Sequence, residues 1–178
     1  KEIDALDGIM AKATDMSCIQ FRMLNSSRGA AVRGPRAQTD RVLYKNAIKK
    51  LIEKQKKLEI IEGSVEDLIV SKGTVNGVVL GNNHKIFSKS VVLTTGTFLK
   101  GLIRIGSEKQ AAGRVGDKPS IKLAKRLNDL KFSIGRLKTG TPPRLLKKTI
   151  NFNDLGEQKP DRKPTPFSFI NRDIHIPQ

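Results

Sequence analysis

Hydrophobic and polar positions recur along the chain in patterns that predict both helices and strands. Apolar residues at helical spacing predict helices over residues 2–14, 42–56 and about 117–130. Short apolar or alternating runs predict strands at residues 18–24, 58–61, 65–70, 75–80, 84–87, 91–95, 132–137 and 167–170. Residues 98–105 fit a strand or a loop, and residues 106–116 fit a loop. This alternation of helices and strands is typical of an α/β fold.

The run from Ser90 to Thr97 is the most informative of these segments. Residues 91–93 are apolar and mostly β-branched, which predicts a buried strand. Residues 94–96 are Thr-Thr-Gly, small residues that let a ligand approach the backbone. Ligands of open α/β sheets bind just beyond the carboxyl ends of the strands. An ordinary core strand ending in a turn explains the same residues, and both interpretations stay open.

Three of the predicted strands, between residues 65 and 87, form a β-meander. The sequences at 71–73 (Ser-Lys-Gly) and 81–83 (Gly-Asn-Asn) are typical of tight turns. The meander lies between the predicted strands at 58–61 and 91–95. In a simple doubly wound fold, a helix connects two such parallel strands. The sequence therefore predicts a parallel sheet with a three-stranded meander as one crossover.

Arginines are concentrated in a loop predicted over residues 25–41. Guanidinium groups among small residues with accessible N–H groups suit phosphate binding. A solvated loop is the alternative interpretation. Pro35 is placed where a helix can begin. The arginines of this loop are Arg28, Arg33, Arg36 and Arg41.

The loop before the third helix is a second candidate anion site. Asp117 is predicted as the helix N-cap, with Pro119 and Ser120 in the first turn. The preceding loop contains Arg114 and three glycines, and helix N-termini attract anions. A capped surface helix without a ligand explains the pattern equally well.

Charge points to a polyanionic partner. The net charge is +17, from 34 Lys and Arg against 17 Asp and Glu, and such an excess most often accompanies nucleic-acid binding. Residues 98–148 hold 14 of the basic and 3 of the acidic residues. A general lysine-rich composition is the alternative, although it would not concentrate the excess in one region.

Length and cysteine content limit the remaining possibilities. The 178 residues suffice for one domain or one and a half. The single cysteine, Cys18, excludes a disulfide framework and a cysteine-based metal cluster, and it fits a reducing compartment. We find no signal peptide and no apolar run long enough for a transmembrane helix. Because the chain starts at Lys1 inside a predicted helix and ends without a cap, we expect a segment of a longer protein.

Five motifs occur in one order along the chain and together resemble a known family. They are Gln20-Phe-Arg-x-Leu-Asn-x-Ser, Arg36-Ala-Gln-x-Asp-Arg-Val-Leu-Tyr44, Val65-Glu-Asp-Leu-Ile, Val91-Val-Leu-Thr-x-Gly-Thr-Phe-Leu99 and Gly135-Arg-Leu-Lys-Thr-Gly-Thr-Pro-Pro-Arg144. This combination resembles the MnmG (GidA) family, flavoproteins that modify carbon 5 of the wobble uridine of tRNA. The last motif is the most specific of the five.

The resemblance implies a partial glutathione-reductase-like FAD-binding fold. Residues 1–140 would be the interior of the FAD-binding domain, and residues 141–178 the start of an inserted domain. The implied cofactor-binding residues are Val65 (through its backbone), Thr95, Gly96, Ser120 and Arg114. The residues expected to face tRNA are Arg33, Arg36, Lys138 and Arg144, with Arg114 facing either tRNA or an FAD phosphate. No catalytic residue and no metal ligand is predicted.

The same resemblance implies the partners of the full enzyme. NADH reduces the flavin, a methylene-tetrahydrofolate carbon passes to the uridine, and glycine or ammonium supplies the amine. An MnmE-type GTPase acts with the enzyme, which is expected to be a homodimer without a membrane association. The expected location is the cytoplasm, or the mitochondrial matrix of a eukaryote.

Several features of the family are missing or altered. Residues 28–32 are Arg-Gly-Ala-Ala-Val where the family has Lys-Gly-Pro-Ala-Val, and residues 112–114 are Ala-Gly-Arg where it has Gly-Gly-Arg. The chain has no Gly-x-Gly-x-x-Gly, the turn that holds the FAD pyrophosphate, and Cys18 does not match the family's cysteine motif. We therefore expect this segment alone to be inactive. A non-enzymatic RNA-binding module and a different FAD-dependent reductase remain the alternatives.

Overall fold

A computed structural model describes residues 2–177 as two compact units. The first unit contains the residues up to Glu59 and those from Arg144 onward, and the second is Ile60–Pro143. The domain boundary expected at residues 140–141 stays a prediction. The elements of the first unit are α1 (Glu2–Ala5), α2 (Met10–Asp15), β1 (Cys18–Leu24), β2 (Gly34–Thr39) and α3 (Arg41–Glu53), with short 3-10 turns at Ala30–Val32, Lys147–Thr149 and Phe152–Asp154.

The first helical segment is broken into α1 and α2, so the single helix predicted over residues 2–14 is wrong. The Asp7 backbone N–H donates to Asp4 O at 3.0 Å, and the Gly8 N–H donates to Ile3 O at 2.8 Å. Asp7 has a φ of +63°. This pair of bonds with a left-handed residue is a helix C-cap, and it ends α1 even though the apolar spacing continues.

β1 and β2 pair as an antiparallel ribbon that places Arg22 opposite Arg36. β1 confirms the strand predicted at residues 18–24. The loop predicted over residues 25–41 is wrong for its last part, because β2 occupies it. Pro35 lies within β2 and does not begin a helix. A two-stranded ribbon has only edge strands, and an edge strand tolerates the missing N–H of proline.

Asp40 begins α3. Its Oδ1 accepts hydrogen bonds from the backbone N–H groups of Val42 and Leu43, each at 2.9 Å. These bonds satisfy two of the donors that a helix N-terminus leaves without a partner. The predicted helix is therefore confirmed, beginning at Arg41 and ending at Glu53.

The core of the first unit joins β1 to the distant segment around residue 167. Phe21 is 1% exposed, and its ring meets the Phe167 ring edge-on at a centroid distance of 5.8 Å. The backbone N–H groups of Phe167 and Ser168 donate to the Asp15 carboxylate at 2.7 and 2.9 Å. The strand predicted at residues 167–170 is wrong, because these donors bind a side chain instead of a neighbouring strand.

The second unit contains the predicted meander. Its elements are β3 (Val65–Ser71), β4 (Thr74–Leu80), β5 (Lys85–Phe87), β6 (Leu102–Ile105), β7 (Glu108–Ala111) and α4 (Lys122–Asp129). β3, β4 and β5 form one antiparallel sheet in that order. Lys72 and Gly73 have φ values of +50° and +78°, as the two central residues of a type I′ turn require. The meander and its first turn are confirmed.

Three other predicted strands are wrong, those at residues 58–61, 91–95 and 132–137, none of which forms a strand. Val92 is 85% exposed and Leu137 fully exposed. β-branched residues favour strands only where a neighbouring strand and a packed face are present. Within residues 2–177 every sheet is antiparallel, and no strand lies beside residues 91–95. The predicted parallel sheet is therefore not formed by the described residues.

The region before α4 also differs from the prediction. Residues 102–105 and 108–111 pair as the β6–β7 hairpin, so the loop predicted over 106–116 is wrong at residues 108–111. α4 begins at Lys122, and the residue before it makes no side-chain capping bond. Asp117 is therefore not the N-cap, and Ser120 precedes the helix instead of lying in its first turn. Leu123 is the fully buried residue of α4, which packs on β3.

Candidate functional site

Backbone hydrogen bonds bring two separate stretches of the second unit together. We call residues 95–101 and 112–120 the Thr95–Ser120 cluster. The Phe98 N–H donates to Thr95 O at 3.2 Å, and the Ser120 N–H donates to Phe98 O at 2.8 Å. The Lys100 N–H then donates to Ser120 O at 3.0 Å. Backbone hydrogen bonds of Phe98 thus connect Thr95 with Ser120. These two residues are distant in the sequence and were predicted to belong to one site.

Glycines allow this close approach. The Thr97 hydroxyl donates to Gly113 O at 2.8 Å, and a Cβ at Gly113 would overlap the Phe98 ring. A Cβ at Gly101 would lie 2.6 Å from Thr97 O. Ala112, which departs from the family's Gly-Gly-Arg, is 4% exposed, and its N–H donates to Gly101 O at 3.1 Å. The substitution at 112 is therefore accommodated, whereas glycine is required at 113.

Gly96 leaves backbone exposed at one end of the cluster. It has a φ of +54°, and a Cβ built on it would have open space around it. Thr95 is half-buried and Gly96 is exposed. The two residues therefore present main-chain atoms to the surface beside the packed part of the cluster, which is the arrangement that a ligand contacting the backbone needs.

Arg114 is one of the arginines predicted to bind a phosphate, and it belongs to this cluster. Its Nε lies 2.7 Å from Asp117 Oδ2, and both residues belong to the loop before α4. The predicted capping carboxylate thus binds an arginine instead of a helix N-terminus. Arg114 remains exposed, so its guanidinium keeps N–H groups that face solvent.

Val65 lies apart from these residues, at the start of β3, where it pairs with Leu80. Side chains next to it connect β3 to α4. Lys122 Nζ lies 3.2 Å from Glu66 Oε2, and Arg126 Nε lies 3.0 Å from Asp67 Oδ1. The structure gives Val65 no hydrogen bond to the Thr95–Ser120 cluster, so its role toward a cofactor stays a prediction.

Among the residues that form these ion pairs between β3 and α4, Glu66 has a shifted pKa. The Ser64 hydroxyl donates to Glu66 Oε1 at 2.9 Å, and the Lys122 ammonium lies beside the other oxygen. Both interactions favour the charged form, the hydroxyl more than the ammonium, and they lower the pKa of Glu66 below its ordinary value.

The residues predicted to face tRNA are exposed. Arg36 lies on β2 and Arg33 in the turn before it, whereas Lys138 and Arg144 lie in irregular chain. Arg136, which was not predicted, donates from both terminal nitrogens to Lys100 O at 3.4 and 3.5 Å. The structure does not bring Lys138 to the Thr95–Ser120 cluster by any hydrogen bond within the described residues.

Sequence reasoning missed Arg136 and three further residues. Thr97 and Phe98 connect the two stretches of the cluster. The sequence could have indicated them, because they directly follow the predicted residues Thr95 and Gly96. Arg22 was overlooked because only the register of the ribbon places it beside Arg36. Cys18 is buried.

None of the helices in residues 2–177 has the length and apolar character needed to cross a membrane. No group of three or more His, Cys, Asp or Glu side chains among residues 2–177 is arranged to hold a metal ion.

Comparison with known proteins gives consistent matches. The family model described as Glucose inhibited division protein A matches residues 1–178. The tRNA uridine 5-carboxymethylaminomethyl modification enzyme MnmG of Granulibacter bethesdensis is 55% identical over 181 residues, which cover 100% of this chain and 29% of that protein. Crystal forms I and II of Aquifex aeolicus GidA each match with a TM-score of 0.88 and 44% identity, over 96% of this chain and 28% of the crystallised chain. The chain thus spans under a third of the length of these relatives.

Proposed function

This chain belongs to the Glucose inhibited division protein A family, and we propose that it is part of an FAD-dependent enzyme that modifies tRNA. The reaction installs a carboxymethylaminomethyl or aminomethyl group on carbon 5 of the wobble uridine. The observation that carries this proposal is the 55% identity, over the whole chain, to a protein named as a tRNA uridine modification enzyme. Because the chain covers 29% of that protein, the activity is proposed for the longer enzyme and not for this segment alone.

FAD is the proposed cofactor, and the Thr95–Ser120 cluster fits it. Gly96 offers exposed backbone with a positive φ and open space beside it. A dinucleotide binds through main-chain atoms at such glycines. The rest of the cluster is held by the Phe98 backbone bonds and by the Thr97–Gly113 bond. A preformed backbone surface of this kind lowers the entropic cost of binding.

We assign a role in binding to each predicted cofactor residue. Thr95 and Gly96 contact the dinucleotide through their backbone, and Ser120 supports that surface through Phe98. Arg114, exposed and oriented by Asp117, is suited to a phosphate oxygen of the cofactor or of tRNA. Val65 is assigned to the adenine. Bound FAD would supply the electron-transfer chemistry, with NADH as its reductant, while these residues hold and orient it.

The proposed architecture is a glutathione-reductase-like FAD-binding fold in which β3–β5 form the meander crossover. Val92 and Leu93 are apolar yet exposed, as expected for a strand whose neighbours would belong to the rest of a longer chain. Such missing neighbours explain why residues 91–95 have the composition of a strand but pair with no strand among the described residues.

tRNA is the proposed substrate, and the charge of the chain supports it. The net charge is +17, and Lys138 and Arg144 of the Gly135–Arg144 motif are exposed. An MnmE-type GTPase partner, a homodimeric enzyme, and a cytoplasmic or mitochondrial location are proposed with the same family function.

Two matched glycine variants test the cofactor site. Gly96 and Gly106 both have positive φ, +54° and +58°, and open space for a Cβ, but Gly106 lies in the β6–β7 turn outside the Thr95–Ser120 cluster. Asparagine tolerates this backbone conformation. We expect Gly96→Asn to weaken FAD binding by about tenfold or more, which is the effect of losing one hydrogen bond to a charged group. Gly106→Asn is expected to leave the FAD affinity unchanged. Absorbance and fluorescence titration with FAD measures both.

Two results would contradict the assignment. Equal FAD affinity in the two variants would remove Gly96 from the cofactor site. Absence of any saturable FAD binding by the unmodified chain would show that the Thr95–Ser120 cluster does not hold the cofactor by itself. Retained salt-sensitive tRNA binding in that case would leave an RNA-binding segment as the better description.

A further inference from the structure

The β1–β2 ribbon has an outer face that the proposed cofactor site does not use. Residues directly opposite each other in an antiparallel pair project from the same face. Arg22 is opposite Arg36, and Gln20 is opposite Gln38, so these four side chains share one face. Phe21 projects from the other face into the core of the first unit. The ribbon therefore has one apolar face and one face of arginine and glutamine.

Neither arginine of this face forms an ion pair within the described residues, although the Asp161 carboxylate accepts a hydrogen bond from the Met23 N–H at 2.8 Å on the same strand. Like charges directly opposite each other destabilise a strand pair, and none of the ion pairs formed within residues 2–177 includes Arg22 or Arg36. Arg22 Nη1 donates to Lys159 O at 2.8 Å, and Gln20 Nε2 donates to Gln158 O at 2.9 Å. These neutral acceptors fix the side chains without cancelling the charge.

Two more arginines continue this charge at the tip of the ribbon. Arg28 and Arg33 are exposed, and Arg33 Nε donates to Arg28 O at 3.3 Å. Asn25, with a φ of +55°, closes the turn by donating from Nδ2 to Val32 O at 3.0 Å. The tip begins two residues beyond the Arg22–Arg36 pair, or about 7 Å along the strand. A shallow groove at this end is lined by Arg22, Ser26, Ser27, Arg28 and Gln158, among others.

We propose that this surface binds consecutive phosphates of an RNA backbone. We call it the ribbon face and define it as Gln20, Arg22, Arg28, Arg33, Arg36 and Gln38. The inference rests on the proposed function and adds a binding surface to it. The Arg22–Arg36 pair and the arginines of the tip, which begins about 7 Å further along the strand, match several phosphates of an RNA strand better than the single pyrophosphate of a dinucleotide. Each guanidinium can donate two parallel N–H hydrogen bonds to one phosphate. The glutamine amides can form hydrogen bonds with ribose hydroxyls.

Charge-matched variants test the ribbon face. The test variant is Arg22→Gln with Arg36→Gln, and the control is Lys45→Gln with Lys50→Gln on the exposed side of α3. The probe is a fluorescein-labelled 17-nucleotide anticodon stem-loop RNA, titrated with the 178-residue chain at several salt concentrations. We expect the test variant to bind at least about tenfold more weakly and to lower the slope of log K against log salt by about 1.5 to 2. The control is expected to change affinity by no more than about twofold.

Folding is controlled with single changes at Arg36. The side chain of Arg36 is exposed and makes no hydrogen bond or ion pair within the described residues, so Arg36→Gln is expected to fold with an equal or higher melting temperature. Removing the repulsion from Arg22 stabilises the ribbon, while the same change weakens RNA binding. Arg36→Lys keeps the charge and is expected to retain most of the salt slope.

Each outcome distinguishes the ribbon face from the proposed function. If the unmodified chain binds RNA with a clear salt slope and the test variant binds equally well, the ribbon face is refuted and the proposed function stands. If the unmodified chain shows no salt-dependent RNA binding, the ribbon face is refuted as an RNA-binding surface of this chain, while the activity proposed for the longer enzyme stands. Loss of FAD binding with unchanged RNA affinity in the test variant would assign these arginines to the cofactor and overturn the inference.

Discussion

Replacing Asp15 by asparagine is expected to destabilise the first unit strongly. The Asp15 carboxylate is buried, with 5% of the residue exposed. Its Oδ1 accepts from the Phe167 N–H at 2.7 Å, and its Oδ2 accepts from the Ser168 N–H at 2.9 Å and from Asn171 Nδ2 at 2.8 Å. An asparagine has one acceptor oxygen, so its NH₂ group must face at least one of these donors.

The cost follows from that arrangement. At least one buried backbone donor loses its acceptor, which costs about 1–3 kcal/mol. The remaining bonds change from charged to neutral and become roughly half as strong. Together these effects predict a loss of about 2–4 kcal/mol in the free energy of unfolding, a large fraction of the roughly 5–15 kcal/mol of a typical domain.

Urea denaturation followed by circular dichroism measures this loss, with Asp7→Asn as the matched control. Asp7 Oδ1 also accepts a short hydrogen bond, 2.6 Å from Lys12 Nζ, but its side chain is 87% exposed. An exposed ion pair of this kind contributes about 0–1 kcal/mol. An Asp15→Asn variant that loses no more stability than Asp7→Asn would refute the reasoning that the buried carboxylate anchors residues 167–171.

Three further changes have expected outcomes of different kinds. Gly113→Ala is expected to lower the free energy of unfolding by about 1–3 kcal/mol, because its Cβ overlaps the Phe98 ring. Gly135→Ala has open space around the Cβ and is expected to leave the free energy of unfolding unchanged in the same urea denaturation. Because the pKa of Glu66 is lowered in the folded chain from its ordinary value of 4.5, its stabilising contribution is present above that ordinary pKa and is lost as the pH falls through the lowered value. Glu66→Gln is expected to flatten that part of the stability-against-pH curve. Asp40→Ala is expected to cost about 1 kcal/mol by removing the cap of α3, seen as reduced helix content and a lower urea midpoint.

Locally determined elements were predicted well from the sequence. The meander needs only apolar alternation and turn residues such as Lys72 and Gly73, whose positive φ values suit a type I′ turn. α3 was predicted for a similar reason, since its apolar spacing and helix-forming residues are local. In both cases the information lies within a few residues of the element itself.

Elements that depend on distant partners were predicted poorly. Residues 91–95 have the composition of a strand, yet no strand among the described residues lies beside them. Asp15 binds residues more than 150 positions away, which no local pattern reveals. Of the candidate site, the sequence indicated Thr95, Gly96 and Ser120 through resemblance, but only the structure shows that Phe98 joins them.

The most direct test of the central claim is amide hydrogen exchange of the chain with and without saturating FAD, read by mass spectrometry. The account predicts added protection in peptides covering residues 95–101 and 112–120, and no added protection in the β1–β2 ribbon. The free chain is expected to exchange rapidly at Gly96, where the backbone is exposed. Protection confined to other segments, or no FAD-dependent protection anywhere in the chain, would contradict the assignment of the Thr95–Ser120 cluster as the cofactor-binding surface.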